Sequence, residues 1–116
     1  MSNKELNSLL LNKVPEIKEE FEKETSWQEG LETGSHVVFQ YVLVPFSISA
    51  LEKEQDDVIK RIFDFINNII KTGGNFEKEV VQLSFLEPLK SDYSDIYDFS
   101  KVMLPETLKL FNEIEF

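Results

Sequence analysis

The chain has 116 residues, the size of one domain, and carries 22 acidic against 12 basic side chains for a formal charge of −10. With a single arginine, Arg61, and no basic cluster, this balance excludes phosphate-reading nucleic-acid binding and adhesion to anionic membrane surfaces. The lack of cysteine excludes disulfides, thiolate nucleophiles and cysteine-ligated metal.

Apolar residues make up 41% of the chain, and ten of them are phenylalanines, enough for a core rather than a disordered segment. Met1 is expected to open a complete gene product. Met1-Ser2-Asn3-Lys4-Glu5 has neither the basic region nor the apolar stretch of a signal peptide, so a cytoplasmic location is expected. The longest apolar-rich run, Val37 to Phe46, is interrupted by Gln40 and Pro45 and is about half the roughly 20 residues a membrane span needs.

In chain order, Ser2 and Glu5 have the spacing of a capping box, with Leu6, Leu9 and Leu10 following at helical intervals. This first helix is expected to stop before Pro15, which is placed to open a second. Ile17 and Phe21 give the second helix an apolar face among Glu16, Glu19, Glu20, Glu22 and Glu24. Glu20 and Glu24 are like charges four residues apart, which costs a few tenths of a kcal/mol in a helix. Trp27 and Leu31 are read as anchors of a loop punctuated by Gly30 and Gly34.

Residues 36–48 are rich in valine and aromatics, as strands are, yet no second strand is available to pair with them. A buried helix capped by Ser35 and kinked or ended by Pro45 is the preferred reading. Ser49 and Glu52 suggest a capping box for a long helix running to Thr72, with Asn67 facing away from its apolar stripe. Gly73 is expected to end that helix at positive φ and Asn75 to cap the next, which Pro88 stops or kinks. Residues 91–98 read as loop with a turn of helix, and Pro105 opens a last helix carrying Leu108, Phe111 and Ile114. The expected architecture is an all-α, single compact domain of five to six helices over residues 1–116, centred on residues 56–71 and 76–87.

The chemistry-bearing residues are sparse. His36 is the only histidine, so two-histidine metal sites are excluded, and no Ser-His-Asp set can be assembled around it. A packing or helix-end role suits it better. Asp92, Asp95 and Asp98, spaced by three, would share a helix face, but they lack the oxygen-ligand spacing and glycine of an EF-hand. Helix-start caps or a partner-binding patch, with Tyr93 and Tyr97 as anchors, fit better. Glu87 follows a nearly unbroken apolar stretch and is expected to be partly buried and bonded to backbone N–H groups. Gly73-Gly74 lacks the lysine and hydroxyl residue of a phosphate loop. No enzyme activity, no cofactor and no metal are therefore expected.

The segments Pro15-Glu-Ile-Lys-Glu-Glu-Phe21, Ile59 to Ile70 and Val81-Gln-Leu-Ser-Phe-Leu-Glu-Pro-Leu89 resemble a family of small, mostly uncharacterised bacterial helical proteins. The resemblance spans most of the chain, though none of these motifs is highly specific. Such families sometimes sit among toxin–immunity gene sets, so the resemblance implies a partner-neutralising role. The functional expectation is a protein-binding module, immunity- or antitoxin-like, whose partner is a basic protein. Its contacts would come from Glu19, Glu20, Glu22 and Trp27 in one acidic segment and Asp92, Tyr93, Asp95, Tyr97 and Asp98 in another. A small-ligand-binding or purely structural helical domain is the alternative.

Overall fold

The computed structural model describes residues 1–26 and 28–115. Helix α1 (Asn3–Lys13) opens with the expected capping box: Ser2 Oγ accepts from Glu5 N–H, and Glu5 Oε1 accepts from Ser2 N–H, both at 3.1 Å. Pro15 starts a 3₁₀ turn, Pro15–Ile17, that leads into α2 (Lys18–Thr25). After a 3₁₀ turn at Gly30–Glu32, residues 35–52 form one unbroken rod, α3. Helix α4 (Asp56–Thr72) is the longest element, α5 spans 75–93, and α6 (Pro105–Glu113) follows a short 3₁₀ turn, Phe99–Lys101. The described residues thus make six helices and no strand, with a radius of gyration of 13.2 Å.

Two of these helices do what the prolines seemed to forbid. In α3 the segment Ser35–Val38 passes into a π turn at Phe39–Leu43 and resumes as Val44–Glu52. In α5, Asn75–Val81 passes into a π turn at Gln82–Leu86 and resumes as Glu87–Tyr93. The N–H of Val44 bonds to Phe39 O, and that of Glu87 to Gln82 O, so each turn is wider by one residue. Pro45 and Pro88 come directly after these bonds. A proline ring in an α-helix collides with the carbonyl four residues earlier, and the wider turn moves that carbonyl aside. The expectation that Pro45 and Pro88 end their helices is corrected on this ground, and residues 36–48 are helix, the preferred reading, rather than strand.

Helix α4 is central, touching α1, α3, α5 and α6, while the two π turns also pack against each other. Its aromatic side chains divide between its neighbours. Phe65 meets Phe39 of α3 at 6.0 Å between ring centroids, whereas Phe63 meets Phe85 of α5 at 5.8 Å and Phe99 at 6.4 Å. Phe99 in turn stacks edge-on against Phe111 of α6 at 6.0 Å.

Several local expectations are corrected. Ser49 lies inside α3 rather than capping α4, because the chain turns at 53–55. There the N–H of Gln55 bonds to Ala50 O at 3.0 Å, closing a Schellman-type stop with Glu54 at φ 55°. Ser35 is the first residue of α3, with Gly34 before it, and its N–H is capped from α1 by Asn3 Oδ1 at 2.9 Å. Gly73 has φ −73°, not a positive value. Its role is close approach, since a Cβ there would lie 2.6 Å from Ile69 O. Gly74, not Asn75, precedes the first turn of α5. Asn67 is buried, not solvent-facing.

Glu54 is a left-handed residue that has a Cβ, a conformation costing about 1–2 kcal/mol outside glycine. Glu54→Gly is expected to raise stability by about 1 kcal/mol after the added entropy of the unfolded chain is subtracted. A urea midpoint that moves up at constant slope is the checking result.

Candidate functional site

The Pro15–Ile17 turn and helix α2 face Ile17 and Phe21 inward and leave their carboxylates outside, because those two positions carry the large apolar side chains. Across from it, α3 presents Tyr41, Pro45 and Phe46. Between them lies an open groove of about 520 Å³. Its acidic wall is Glu16, Glu19, Glu20 and Glu24, and Lys23 and Lys53 are the ammonium groups lining it. Tyr41 is 59% exposed, unusual for an aromatic ring, and Phe46 is half-buried at the groove's base.

The carboxylates of α2 differ in how they are balanced. Glu16 pairs with Arg61, Glu19 lies 3.7 Å from Lys23, and Glu22 lies 4.0 Å from Lys18. Glu20 and Glu24 have no ion-pair partner among the described residues. The surface pairs are strongly solvated and contribute little to stability.

The second acidic segment is elsewhere. Ser94 to Ser100, with Leu108, Phe111 and Asn112, line a shallower hollow of about 450 Å³ between the end of α5 and α6. It shares no lining residue with the first groove. Asp92 lies in the last turn of α5, Asp95 in the turn beyond, and Asp98 ahead of the Phe99–Lys101 turn. Because α5 continues through Pro88, Asp92 and Asp95 are not helix-start caps, and the three acids do not align on one helix. Asp98 alone caps: it accepts from Ser100 Oγ at 2.6 Å and Ser100 N–H at 3.0 Å. Tyr93 and Tyr97 are half-buried against the core, with Tyr97 6.2 Å from the Phe99 ring. Ile96, 67% exposed, is the apolar side chain that this segment offers to solvent. Trp27 lies outside the described residues.

His36 is half-buried in the first turn of α3, and its Nδ1 is 2.6 Å from Ser84 Oγ in the π turn of α5. That bond ties the two π-bearing helices together. Glu87 is half-buried just before Pro88. Among the described residues its carboxylate makes no hydrogen bond to backbone N–H groups, which corrects the expected loop contact. The reason is continuity: within α5 the nearby N–H groups bond inside the helix.

Sequence reasoning passed over two buried polar side chains, Asn7 and Glu77, and placed a third, Asn67, on the wrong face. Asn7, fully buried, donates from Nδ2 to Thr33 O at 2.7 Å and Leu31 O at 3.0 Å, while its Oδ1 accepts from Ser35 Oγ at 2.9 Å. Asn67 donates to Val102 O at 3.1 Å and accepts from Leu104 N–H at 3.2 Å. Glu77, also buried, accepts from Gly74 N–H through Oε2 at 2.6 Å, and its Oε1 lies 3.1 Å from the Met1 amino group. A weak signal existed for the asparagines: each borders its helix's apolar stripe, about 100° round the helix from Leu6 for Asn7 and from Ile66 for Asn67.

Three carboxyls are held below their ordinary range. Glu77 is lowered chiefly by the Gly74 N–H and then by the Met1 amino group, against opposition from burial. Glu5 is lowered by the Ser2 backbone and side-chain hydrogen bonds, and Asp98 by the Ser100 side chain and backbone. Each gives up its proton more readily folded than unfolded. Each therefore stabilises the fold at neutral pH, and that contribution is lost as pH falls through the depressed values. Acid also relieves the self-repulsion of a chain at −10, so the informative quantity is a difference. Glu77→Gln is expected to lose stability at neutral pH and to converge on the wild type in acid. Parallel urea titrations across the acid range measure it, and a constant gap would contradict it.

Among the described residues no cluster of three or more His, Asp or Glu side chains is placed to hold a metal ion, and no helix is long and apolar enough to cross a membrane. The fold and its grooves define a small all-α domain with an acid-walled, aromatic-floored cleft between two helices. The chain belongs to the domain family of unknown function DUF7674, whose profile matches residues 7–116. No curated protein and no solved structure matches it.

Proposed function

We propose that the domain is a non-enzymatic protein-binding module for a basic protein partner, and that its finer role is neutralisation of a basic toxin in the manner of an immunity protein or antitoxin, in a bacterial cytoplasm. The observation that carries this reading is the concentration of exposed, incompletely paired carboxylates on two segments. Residues 16–32 hold seven glutamates and two lysines, and Glu20 and Glu24 stand without a cation. Asp92 and Asp95 add exposed charge beside half-buried Tyr93 and Tyr97.

Such surfaces speed encounter with a positively charged partner and slow encounter with nucleic acid or anionic lipid. Nuclease toxins are suitable partners, because proteins that bind phosphate are rich in lysine and arginine.

The test is association kinetics with the protein recovered on this domain from native lysate. Two triple variants are compared with the wild type: Glu19, Glu20 and Glu22 changed to lysine, and Asp92, Asp95 and Asp98 changed to lysine. Each is expected to slow association by about 10-fold or more at low salt and to flatten its salt dependence, with the circular dichroism spectrum unchanged. Unchanged on-rates for both variants would show the electrostatic reading to be wrong. A toxin gene beside this one would support the neutralising form.

A further inference from the structure

We infer that the cleft between α2 and α3 is the docking site, and that its occupant is a short amphipathic segment of the partner with an apolar side chain flanked by lysine or arginine. This rests on the basic-partner reading above and adds to it the place, the shape and the recognition chemistry.

Three features of the cleft select that occupant. The first is its floor. Tyr41, Pro45 and Phe46 present apolar surface to an open groove, and Tyr41 stays 59% exposed although every other aromatic ring among the described residues is at least half-buried. Covering it would remove apolar area from water and offer its ring face to a cation.

The second is charge. Glu20 and Glu24 are one helical turn apart on the acidic wall and have no internal partner, whereas Glu16 and Glu19 are already paired. A cation between Glu20 and Glu24 would turn a mutual repulsion into two attractions. A purely apolar segment would leave both carboxylates uncompensated. A second copy of this chain, at −10, would bring more acid to the same wall.

The third is length. The eight residues of α2 make a wall of about 12 Å, enough for about two turns of a docked helix. The anchors such a helix needs, apolar at successive turns with basic residues beside them, match a groove with an apolar floor and an acidic wall.

The experiment uses fluorescence anisotropy on the whole domain with two labelled leucine–lysine peptides of about 14 residues. They share one composition. One spaces its leucines i, i+3, i+4, i+7, and the other is scrambled so that no apolar face forms. The helical isomer is expected to bind more tightly than the scrambled one by about 10-fold. Glu20→Lys with Glu24→Lys should weaken it by about 10-fold, and Tyr41→Ala by about five-fold. Glu106→Lys with Glu113→Lys changes net charge by the same amount on α6 and should cost less than about two-fold.

If the α6 variant weakens binding as much as the α2 variant, or if both peptides bind alike, the cleft assignment is overturned while the basic-partner reading stands. If neither peptide binds at low salt, both fail. Tyr41 and the two glutamates are exposed, so unfolding of the variants is not expected, and a retained melting transition confirms that loss of binding is local.

Discussion

Replacing Phe63 by alanine is expected to remove about 3–5 kcal/mol of stability. Phe63 is 1% exposed, sits on the central helix α4, and is the ring that joins Phe85 of α5 to Phe99, which in turn abuts Phe111 of α6. Deleting it withdraws ring contacts from α5 and from the Phe99–Lys101 turn at once, and a helix and a turn cannot both close on one void. Domains of this size have about 5–15 kcal/mol in total, so the variant would be marginal. Phe63→Leu keeps most of the volume and should cost substantially less. Guanidinium or urea unfolding of the two variants decides it. A loss for alanine no larger than for leucine would mean that the site collapses, and that the aromatic chain is not what holds α5 and α6 to α4.

Asn7→Leu is the second large effect, and it runs against the usual expectation for a buried position. Leucine is bigger and more apolar, and transfer arguments alone would favour it. Yet Asn7 supplies both donors that Leu31 O and Thr33 O use, and the acceptor for the Ser35 hydroxyl. Removing it leaves Leu31 O and Thr33 O without their donor, each costing about 1–3 kcal/mol, while the Ser35 hydroxyl can still donate to Asn3 O at 3.3 Å. The expected loss is about 3 kcal/mol, with protease sensitivity rising first in the 28–34 loop, because that loop is held to α1 through these bonds. Asn7→Asp is the control. It keeps the acceptor and loses the donors, so it should not restore stability. If Asn7→Leu matched the wild type in urea midpoint and in proteolysis, the bonds would not be what fixes the loop.

The helical segments were legible where local chemistry dictated them. Ser2 and Glu5 have few alternatives to a capping box, and Pro15 suits the first position of a helical turn because its missing N–H is not needed there. The periodic isoleucines and phenylalanines of 59–70 leave a single apolar face to bury. Other boundaries left no such mark. The stop at 52 is made by Glu52-Lys53-Glu54-Gln55, which contains neither glycine nor proline, and it exists because α3 and α4 must reverse there to pack. The acidic wall could be read as a run of glutamates, but not its floor, since Tyr41 and Phe46 are distant in sequence from Glu20 and meet it only through the docking of α2 on α3.

An all-α domain with its longest amphipathic helix at the centre was readable from local facts alone: 3.6-residue periodicity, caps and the want of a second strand. Tertiary structure alone decided how Pro45 and Pro88 are accommodated. Proline forbids the ordinary bond but does not say whether the helix ends, kinks or widens. The choice falls to the side chains beyond each proline. Ile48 and Leu89 are buried on the far side of their π turns, and a helix that ended at either proline would forfeit that burial. The packing of α3 against α5, tied by His36 and Ser84, thus keeps both rods whole and leaves Tyr41 exposed on the groove.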